Sequence, residues 1–413
     1  MGLRRAAASA AVLLLLLACE EKKPAGVPAV GGAPQASSPA AKVWLGHVAA
    51  LTGPEAAAGE STERGILLAI EELNARGGVK SKQLDLRSSD DQGRPEEAAA
   101  AASRLAGPDR VVVLVGEVSP ARSVALAAIA EASRLPMVSP SSSDPEVTKD
   151  GGRTRAFVFR AGSTDALQGA VMARFARERG LGKVAILRDV GSAYSLGLAD
   201  RFLSTFRELG GAIVNDQSYK AGDQDFKAQL TTIRARAPEA IYVPGHPADV
   251  ALLARQAREL GLKVPLLGGD RWDSPALFEK AGSALDGSYY SSAWSAGDPS
   301  PRIQGFIERY RARFGAAPDA LAAAGHDAVL VAADAVSRAK DLSGEAVAAA
   351  LAETRGLAGV TGTITLDTDH QAVKPAAVLE VKGGKAVYVA TVAPEKVGSG
   401  GVAVLPASQP AQR

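Results

Sequence analysis

Short apolar runs alternate with longer stretches of helical periodicity through most of the chain. Runs of this length, without polar alternation, are typical of strands that are buried on both faces. The pattern predicts strands at residues 43–48, 84–87, 111–115, 136–138, 184–187, 240–243 and 264–267. Between them, residues 199–209 and 247–260 carry apolar positions at the three- and four-residue spacing of amphipathic helices.

Strands that alternate with helices form parallel sheets covered by helices on both faces. The strands are too many for one sheet, and residues 157–162 have the pattern of an extended crossing between two units. We therefore predict an α/β fold of two Rossmann-like lobes, each a parallel sheet flanked by helices, with a cleft between them. In such sheets ligands bind beyond the carboxyl ends of the strands.

The first residues have the form of an export signal. Arg4 and Arg5 precede an apolar run at residues 6–18, which is shorter than the roughly 20 residues of a membrane-spanning helix. Cys19, the single cysteine, follows directly, as in a bacterial lipobox. A lone cysteine beside a cleavage site is the alternative. We predict a signal peptide at 1–18, a lipidated N-terminus and flexible linker at 19–42, and a disordered tail at 393–413.

Charge and motifs exclude several classes of function. The formal net charge is +2, and both arginines of the signal contribute to it, so the mature chain has no electrostatic footprint for nucleic acid. The sequence lacks the common nucleotide-binding, hydrolase and zinc-protease motifs, and its four histidines lack metal-ligand spacing. We therefore predict no enzyme, no metal and no cofactor.

Serines follow two neighbouring predicted strands. Residues 141–143 come after strand 136–138, where Asp144 and Pro145 have the form of a helix start, and Ser119 with Pro120 repeats the design after strand 111–115. The N-terminus of a helix carries unpaired N–H groups and a partial positive charge, which favour a carboxylate or phosphate. The alternative is that these serines only cap helices.

Two further residues complete the candidate chemistry. Asp270 follows strand 264–267 between glycines and arginine, where its carboxylate could meet an ammonium group or simply stabilise a turn. Tyr194 lies where a loop opens a helix, a position suited either to lining a site or to half-buried packing.

Taken together, these segments resemble a known family. The matching segments are 49–54 with Gly59, 69–79, 89–91, 136–148, 160–169, 225–226, 255–262 and 362–367. In this order they are similar to the periplasmic binding proteins of the branched-chain amino acid (leucine/isoleucine/valine-binding) transport family, over residues 43–392. The resemblance implies a type I fold, whose lobes are joined by three crossovers near Arg160, Tyr289 and Gly362. Lobe 1 would comprise 43–160 and 289–361, and lobe 2 would comprise 161–288 and 362–392.

The resemblance also implies roles for single residues. Ser143 and the backbone of Ser141 would hold the amino and carboxylate groups of an amino acid, and Asp270 would meet its ammonium group. The sequence departs from the family pattern at Ala58 and His246, where the family often has aromatic residues. The candidate ligand-binding set is Ser119, Pro120, Ser141, Ser142, Ser143, Tyr194, His246, Asp270 and Trp272, with Cys19 for lipidation.

The implied function is that of an extracytoplasmic solute-binding lipoprotein. It would capture an amino acid or an amino-acid-like ligand by closure of its lobes and deliver it to an ABC permease. The expected protein is a monomer, held by its lipid at the periplasmic or outer face of a bacterial membrane. The alternative is a sensor or interaction lipoprotein of the same fold that regulates a membrane or cell-wall enzyme.

Overall fold

The computed structural model describes residues 42–393. The predicted signal peptide, Cys19 and nearly all of the predicted linker and tail lie outside this range. The strands are β1 (Val43–Ala49), β2 (Leu84–Asp90), β3 (Val113–Gly116), β4 (Met137–Ser139), β5 (Lys149–Asp150), β6 (Arg153–Thr154), β7 (Val158–Arg160), β8 (Lys183–Asp189), β9 (Ala212–Tyr219), β10 (Ala240–Tyr242), β11 (Leu266–Gly268), β12 (Tyr289–Ser292), β13 (Leu357–Gly359), β14 (Gly362–Leu366), β15 (Ala372–Val373), β16 (Ala376–Lys382) and β17 (Lys385–Val392).

Helices follow most of these strands, as the alternating pattern predicts. They are α1 (Ala56–Ala75), α2 (Pro95–Ala106), α3 (Pro120–Ala132), α4 (Asp165–Glu178), α5 (Ala193–Glu208), α6 (Lys227–Arg234), α7 (Pro247–Glu259), α8 (Pro275–Ala281), α9 (Pro301–Phe314), α10 (Ala320–Arg338) and α11 (Gly344–Ala352).

The first lobe is built on a five-stranded sheet of order β2-β1-β3-β4-β7, in which all neighbouring strands are parallel. Successive side chains of a strand point to opposite faces. In β3, Val113 and Val115 therefore pack in a core with α1 and α10, while Leu114 packs in a second core with α2 and α3. Because both faces are covered, all of β3 is buried and apolar.

The second lobe is built on a seven-stranded sheet of order β17-β16-β12-β11-β10-β8-β9. Strands β9, β8, β10, β11 and β12 run parallel to one another, and β16 and β17 add antiparallel strands at one edge. One face packs against α4 and α5, with Phe202 and Tyr242 stacked at 4.1 Å between ring centroids. The other face packs against α6, α7 and α8. The predicted α/β fold with two sheet-based lobes is confirmed.

Two of the three predicted crossover positions are wrong. β12 starts at Tyr289 but pairs with β11 and β16 in the second sheet, so the chain crosses only after it, at 293–300. Residues 362–373 stay with the first lobe, because Ile364 and Leu366 are buried in its core, and the last crossing is at 374–375. The first crossing, at 161–164, follows Arg160 as expected.

One helix among the described residues, α10, is long and apolar enough to cross a membrane by length and composition. The structure buries 72% of that window inside the first lobe, where α10 packs along α1. Its apolar composition is therefore explained by its central position in the first lobe.

A buried lysine ties two of the crossovers together. Lys374, in the last crossing, donates from Nζ to the carbonyl oxygen of Ala161 in the first crossing at 3.2 Å and to Thr361 Oγ1 at 2.6 Å. Thr361 in turn donates from Oγ1 to Asp327, whose oxygens also accept the N–H groups of Val360 and Thr361. Burial lowers the pKa of Lys374 to about 8, and the charge of Asp327 opposes this shift.

The position of Lys374 predicts an unusual pH dependence of stability. Between its folded pKa of about 8 and its ordinary value of 10.5, only the unfolded chain binds the proton, so the native protein gains stability as the pH rises. Relative to Lys374→Met, we expect the free energy of unfolding of the native protein to rise by about 2 kcal/mol between pH 7.5 and 10. Urea denaturation across this range measures the difference.

The exposed Lys382 gives a matched control, since Lys382→Met should show no pH-dependent difference from the native protein. A constant difference between the native protein and Lys374→Met over the whole range would show that the buried ammonium does not titrate in this way.

Candidate functional site

The serine loop, residues 141–143, follows the carboxyl end of β4 at the cleft side of the first lobe. The hydroxyl oxygens of Ser141 and Ser142 are buried and have no hydrogen-bond partner within residues 42–393. Buried polar atoms are normally satisfied, so hydroxyls without an internal partner are available to a ligand. The predicted cap at Asp144 is confirmed, since its side chain accepts from the N–H of Glu146 at 2.8 Å, but Pro145 opens only a three-residue 3₁₀ turn and not an α-helix.

The second predicted donor loop is engaged inside its own lobe. α3 begins at Pro120 with Ser119 at the N-cap position, as predicted, but the Ser119 side chain makes no cap hydrogen bond. The N–H of Ser119 donates to Glu117 Oε2 at 2.5 Å, and Glu117 pairs with Arg122 at 3.1 Å. A buried carboxylate needs such partners. The backbone N–H of Ser119 is therefore already used within the lobe, and the exposed Pro120 has no N–H to donate to a ligand.

Tyr194 and Asp270 meet on the wall of the second lobe. Ser192 caps α5 and places Tyr194 in its first turn, from which the phenol donates to Asp270 Oδ1 at 2.9 Å. The approach requires a glycine beside Asp270, because a Cβ on Gly269 would lie 2.4 Å from the Tyr194 oxygen. Burial and the charge of Asp270 raise the pKa of Tyr194 well above its usual value, which keeps the phenol protonated as a donor.

His246 lies beside this pair at the N-cap position of α7. Its ring is 6.1 Å from that of Tyr194, and its two nitrogens lie 2.9 and 2.8 Å from Nη1 of Arg271. Burial, and then the charge of Arg271, lower the pKa of His246. His246 is therefore neutral at physiological pH and accepts a hydrogen bond from the guanidinium.

The prediction of Trp272 as a ligand-contacting residue disagrees with the structure. The indole has no exposed surface and packs in the core of the second lobe, against Gly268. The sequence places Trp272 two residues from Asp270, but the 3₁₀ turn at 270–272 directs it into the core instead of the cleft.

Asp165, which the sequence analysis did not single out, connects the two walls. Thr164 caps α4 and makes Asp165 its first helical residue, directly after the first crossing. The Ser143 hydroxyl, from the first lobe, lies near enough to the Asp165 carboxylate to favour its ionised form. Burial, and then the charge of Asp270, raise the pKa of Asp165 to about 6, while Arg271, Ser143 and Arg160 oppose the shift.

Further residues fix this junction. Gln168, one helical turn after Asp165, accepts the Asp270 N–H at 3.1 Å and the Ser291 hydroxyl at 2.8 Å. Arg160 is fully buried and donates to the carbonyl oxygens of Ser143, at 3.2 Å, and Asp144. Burial lowers the pKa of Arg160 to about 10, so it stays charged at neutral pH and holds the serine loop. The only sequence signal for these residues is segment 160–169 of the family resemblance.

The arrangement suits a zwitterion. The first lobe contributes hydroxyls without internal partners, and the second contributes Asp165 and Asp270, with the Arg271 guanidinium alongside. Within the described residues no group of three metal-ligating side chains is present. Two cavities lie elsewhere: one of about 380 Å³ is lined by α1 and α10 of the first lobe, and one of about 760 Å³ lies beside the crossing at 293–300 and residues 358–363. We assign the site by its converging polar groups, since neither cavity is lined by the serine loop or by Asp270.

The comparisons with known proteins agree with this architecture. The profile of the periplasmic binding protein family matches residues 42–386. The chain belongs to this family. Leu/Ile/Val-binding protein homolog 3 of Brucella melitensis is 31% identical over 279 residues, which cover 67% of this chain and 74% of the relative.

Solved structures give the same result. The leucine-binding protein LivK of Thermotoga maritima is 36% identical with a TM-score of 0.66, covering 85% of this chain and 99% of that one. LivJ of Streptococcus pneumoniae, solved in complex with isoleucine, is 30% identical with a TM-score of 0.64, covering 84% and 99%. The predicted membership of the branched-chain amino acid group and the type I fold are both confirmed. Members of the family are exported substrate-binding proteins.

The raised pKa of Asp165 predicts that the ligand-free site is strained. Above pH 6 the folded protein holds an ionised Asp165 near Asp270, so replacing it with a neutral isostere should be stabilising. We expect Asp165→Asn to raise the free energy of unfolding of the ligand-free protein by about 1 kcal/mol at pH 7.5, with no gain below pH 4. Urea denaturation at both pH values measures this difference.

Glu279→Gln, at an exposed position on α8, controls for the general effect of removing one negative charge. A variant Asp165→Asn that is less stable than the native protein at pH 7.5 would contradict the expected strain.

Proposed function

We propose that the protein captures an amino acid between its two lobes and delivers it to an ABC transporter. The observation that carries the proposal is the junction of Ser143, Asp165 and Asp270. It places hydroxyl donors of one lobe beside carboxylates of the other, so a ligand with both an anionic and a cationic group is complementary to the closed cleft. The names of the relatives LivK and LivJ support an amino acid as the ligand class.

The proposed binding mode divides the ligand between the lobes. Ser141, Ser142 and Ser143 receive the α-carboxylate through hydroxyl and backbone N–H groups. Asp270, oriented by Tyr194, receives the ammonium together with Asp165. Closure about the crossings then removes both ion pairs from water, where each charge-assisted hydrogen bond contributes about 1.5 to 3 kcal/mol.

The proposal extends to the cellular setting. Lipidation of Cys19 holds the monomeric protein at the outer face of a bacterial membrane, close to its permease. Two or more acyl chains, at about 0.8 kcal/mol per buried methylene group, suffice for stable anchoring.

Removing the ammonium partner tests the proposal. We first identify the ligand by isothermal titration calorimetry with the twenty standard amino acids. Asp270→Ala should then weaken its binding by at least about 2 kcal/mol, or roughly thirtyfold, because the ligand ammonium loses its charged partner. Glu279→Ala, which removes a carboxylate far from the cleft, should leave the dissociation constant unchanged.

The two possible failures have different meanings. Amino acid binding that is unaffected by Asp270→Ala would refute the assignment of the ammonium site. An absence of binding across the whole panel would refute amino acid capture and favour the sensor or interaction lipoprotein.

A further inference from the structure

Arg271 is an unpaired cation on the cleft wall of the second lobe. No carboxylate oxygen of residues 42–393 lies within the 4.0 Å ion-pair distance of its guanidinium. Arg188 in the same lobe is, by contrast, paired with Asp200 at 2.6 Å and with Asp216. Asp165 lies within the field of Arg271, but a guanidinium without a direct ion pair keeps its N–H donors available for a ligand carboxylate.

The guanidinium of Arg271 is nonetheless held in place. It lies over the ring of Tyr194, 4.0 Å from the centroid, and its Nη1 contacts the imidazole of His246. Stacking on an aromatic ring leaves the planar edge of a guanidinium available for a bidentate carboxylate. The neutral His246 adds a second polar group next to that edge.

The negative groups around this corner are already engaged. Asp270 accepts the Tyr194 phenol, and nearer to His246, Asp189 and Asp249 accept the backbone N–H groups of Gly191 and Gly222. Tyr194 therefore separates a carboxylate, Asp270, from the corner formed by Arg271 and His246. An amino acid whose ammonium lies at Asp270 directs its side chain into the remaining space of the cleft.

An aliphatic side chain would bury the Arg271 and His246 polar groups without replacing their hydrogen bonds to water, which is unfavourable. A side-chain carboxylate would instead pair with the guanidinium. We propose that Arg271 and His246 form a specificity corner that selects an acidic amino acid, aspartate or glutamate, over the branched-chain amino acids. This inference rests on the proposed function, because it presumes that the α-amino group lies at Asp270 and Asp165.

Isothermal titration calorimetry of the purified full chain tests the corner with L-glutamate, L-aspartate, L-glutamine, L-asparagine and L-leucine. We expect at least one acidic amino acid to bind about tenfold or more tightly than its amide and than leucine. Arg271→Gln should reduce that preference over the amide to below about threefold. Arg271→Lys, which keeps the charge without the planar fork, should retain an intermediate preference.

Arg236→Gln is the matched control. Arg236 is exposed between α6 and β10, at the edge of the second sheet opposite the cleft, and its side chain should not affect selectivity. Thermal unfolding of each variant establishes that it is folded.

Leucine binding more tightly than both acidic amino acids, or an acidic preference that Arg271→Gln leaves unchanged, would overturn the specificity corner while the proposed function stands. If none of the five ligands binds but another amino acid in the panel of twenty does, the corner is also overturned. If no amino acid binds at all, the proposed function fails, and the corner fails with it.

Discussion

The site depends on one partly buried carboxylate at the junction of the lobes. Asp165 opens α4 immediately after the first crossing and lies near both the Ser143 hydroxyl of the first lobe and the charge of Asp270. Two carboxylates that share a partly desolvated site disfavour each other's ionisation. In the proposed binding mode, a bound ammonium would remove that penalty, most favourably when both lobes contribute. Under this proposal, the electrostatic strain of the ligand-free site would contribute to the driving force for closure.

The rest of the structure keeps this junction precise while allowing it to move. Each lobe has its own apolar cores on both faces of its sheet, so each can move as a rigid body. Three segments of residues 42–393 connect the lobes, and Lys374 in the last of them is tied to the first through the Ala161 carbonyl oxygen. Close backbone contact at Gly162, where a Cβ would lie 2.5 Å from the Pro140 carbonyl oxygen, fixes the first crossing against the serine loop.

Much of the fold could be predicted from the sequence because its signals are local. Buried parallel strands appear as short apolar runs, and the predicted positions of β1, β3, β8 and β10 each lie within about two residues of the observed strands. In the second sheet, strands β9, β12, β16 and β17 were missed. The boundary at Tyr289 was misplaced because the pairing of β12 with β11 and β16 cannot be read from its own residues.

The site was predictable only in part, for a similar reason. Asp270 follows a strand and Tyr194 lies where a loop opens a helix, so both could be singled out locally, and the structure joins them by a hydrogen bond. Asp165 has the appearance of an ordinary first-turn helix residue, and its role arises from Ser143 and Asp270, which are distant in sequence. Trp272 is the opposite case. Its position two residues from Asp270 suggested a ligand contact, but the turn at 270–272 directs it into the core.

A crystal structure of the protein with its bound amino acid is the most direct test of the central claim that both lobes share one ligand through this junction. The account predicts the ligand ammonium about 3 Å from a carboxylate oxygen of Asp165 or Asp270, and the α-carboxylate on the hydroxyl and N–H groups of residues 141–143. A ligand that contacts only one lobe, or whose ammonium lies away from both carboxylates, would contradict it.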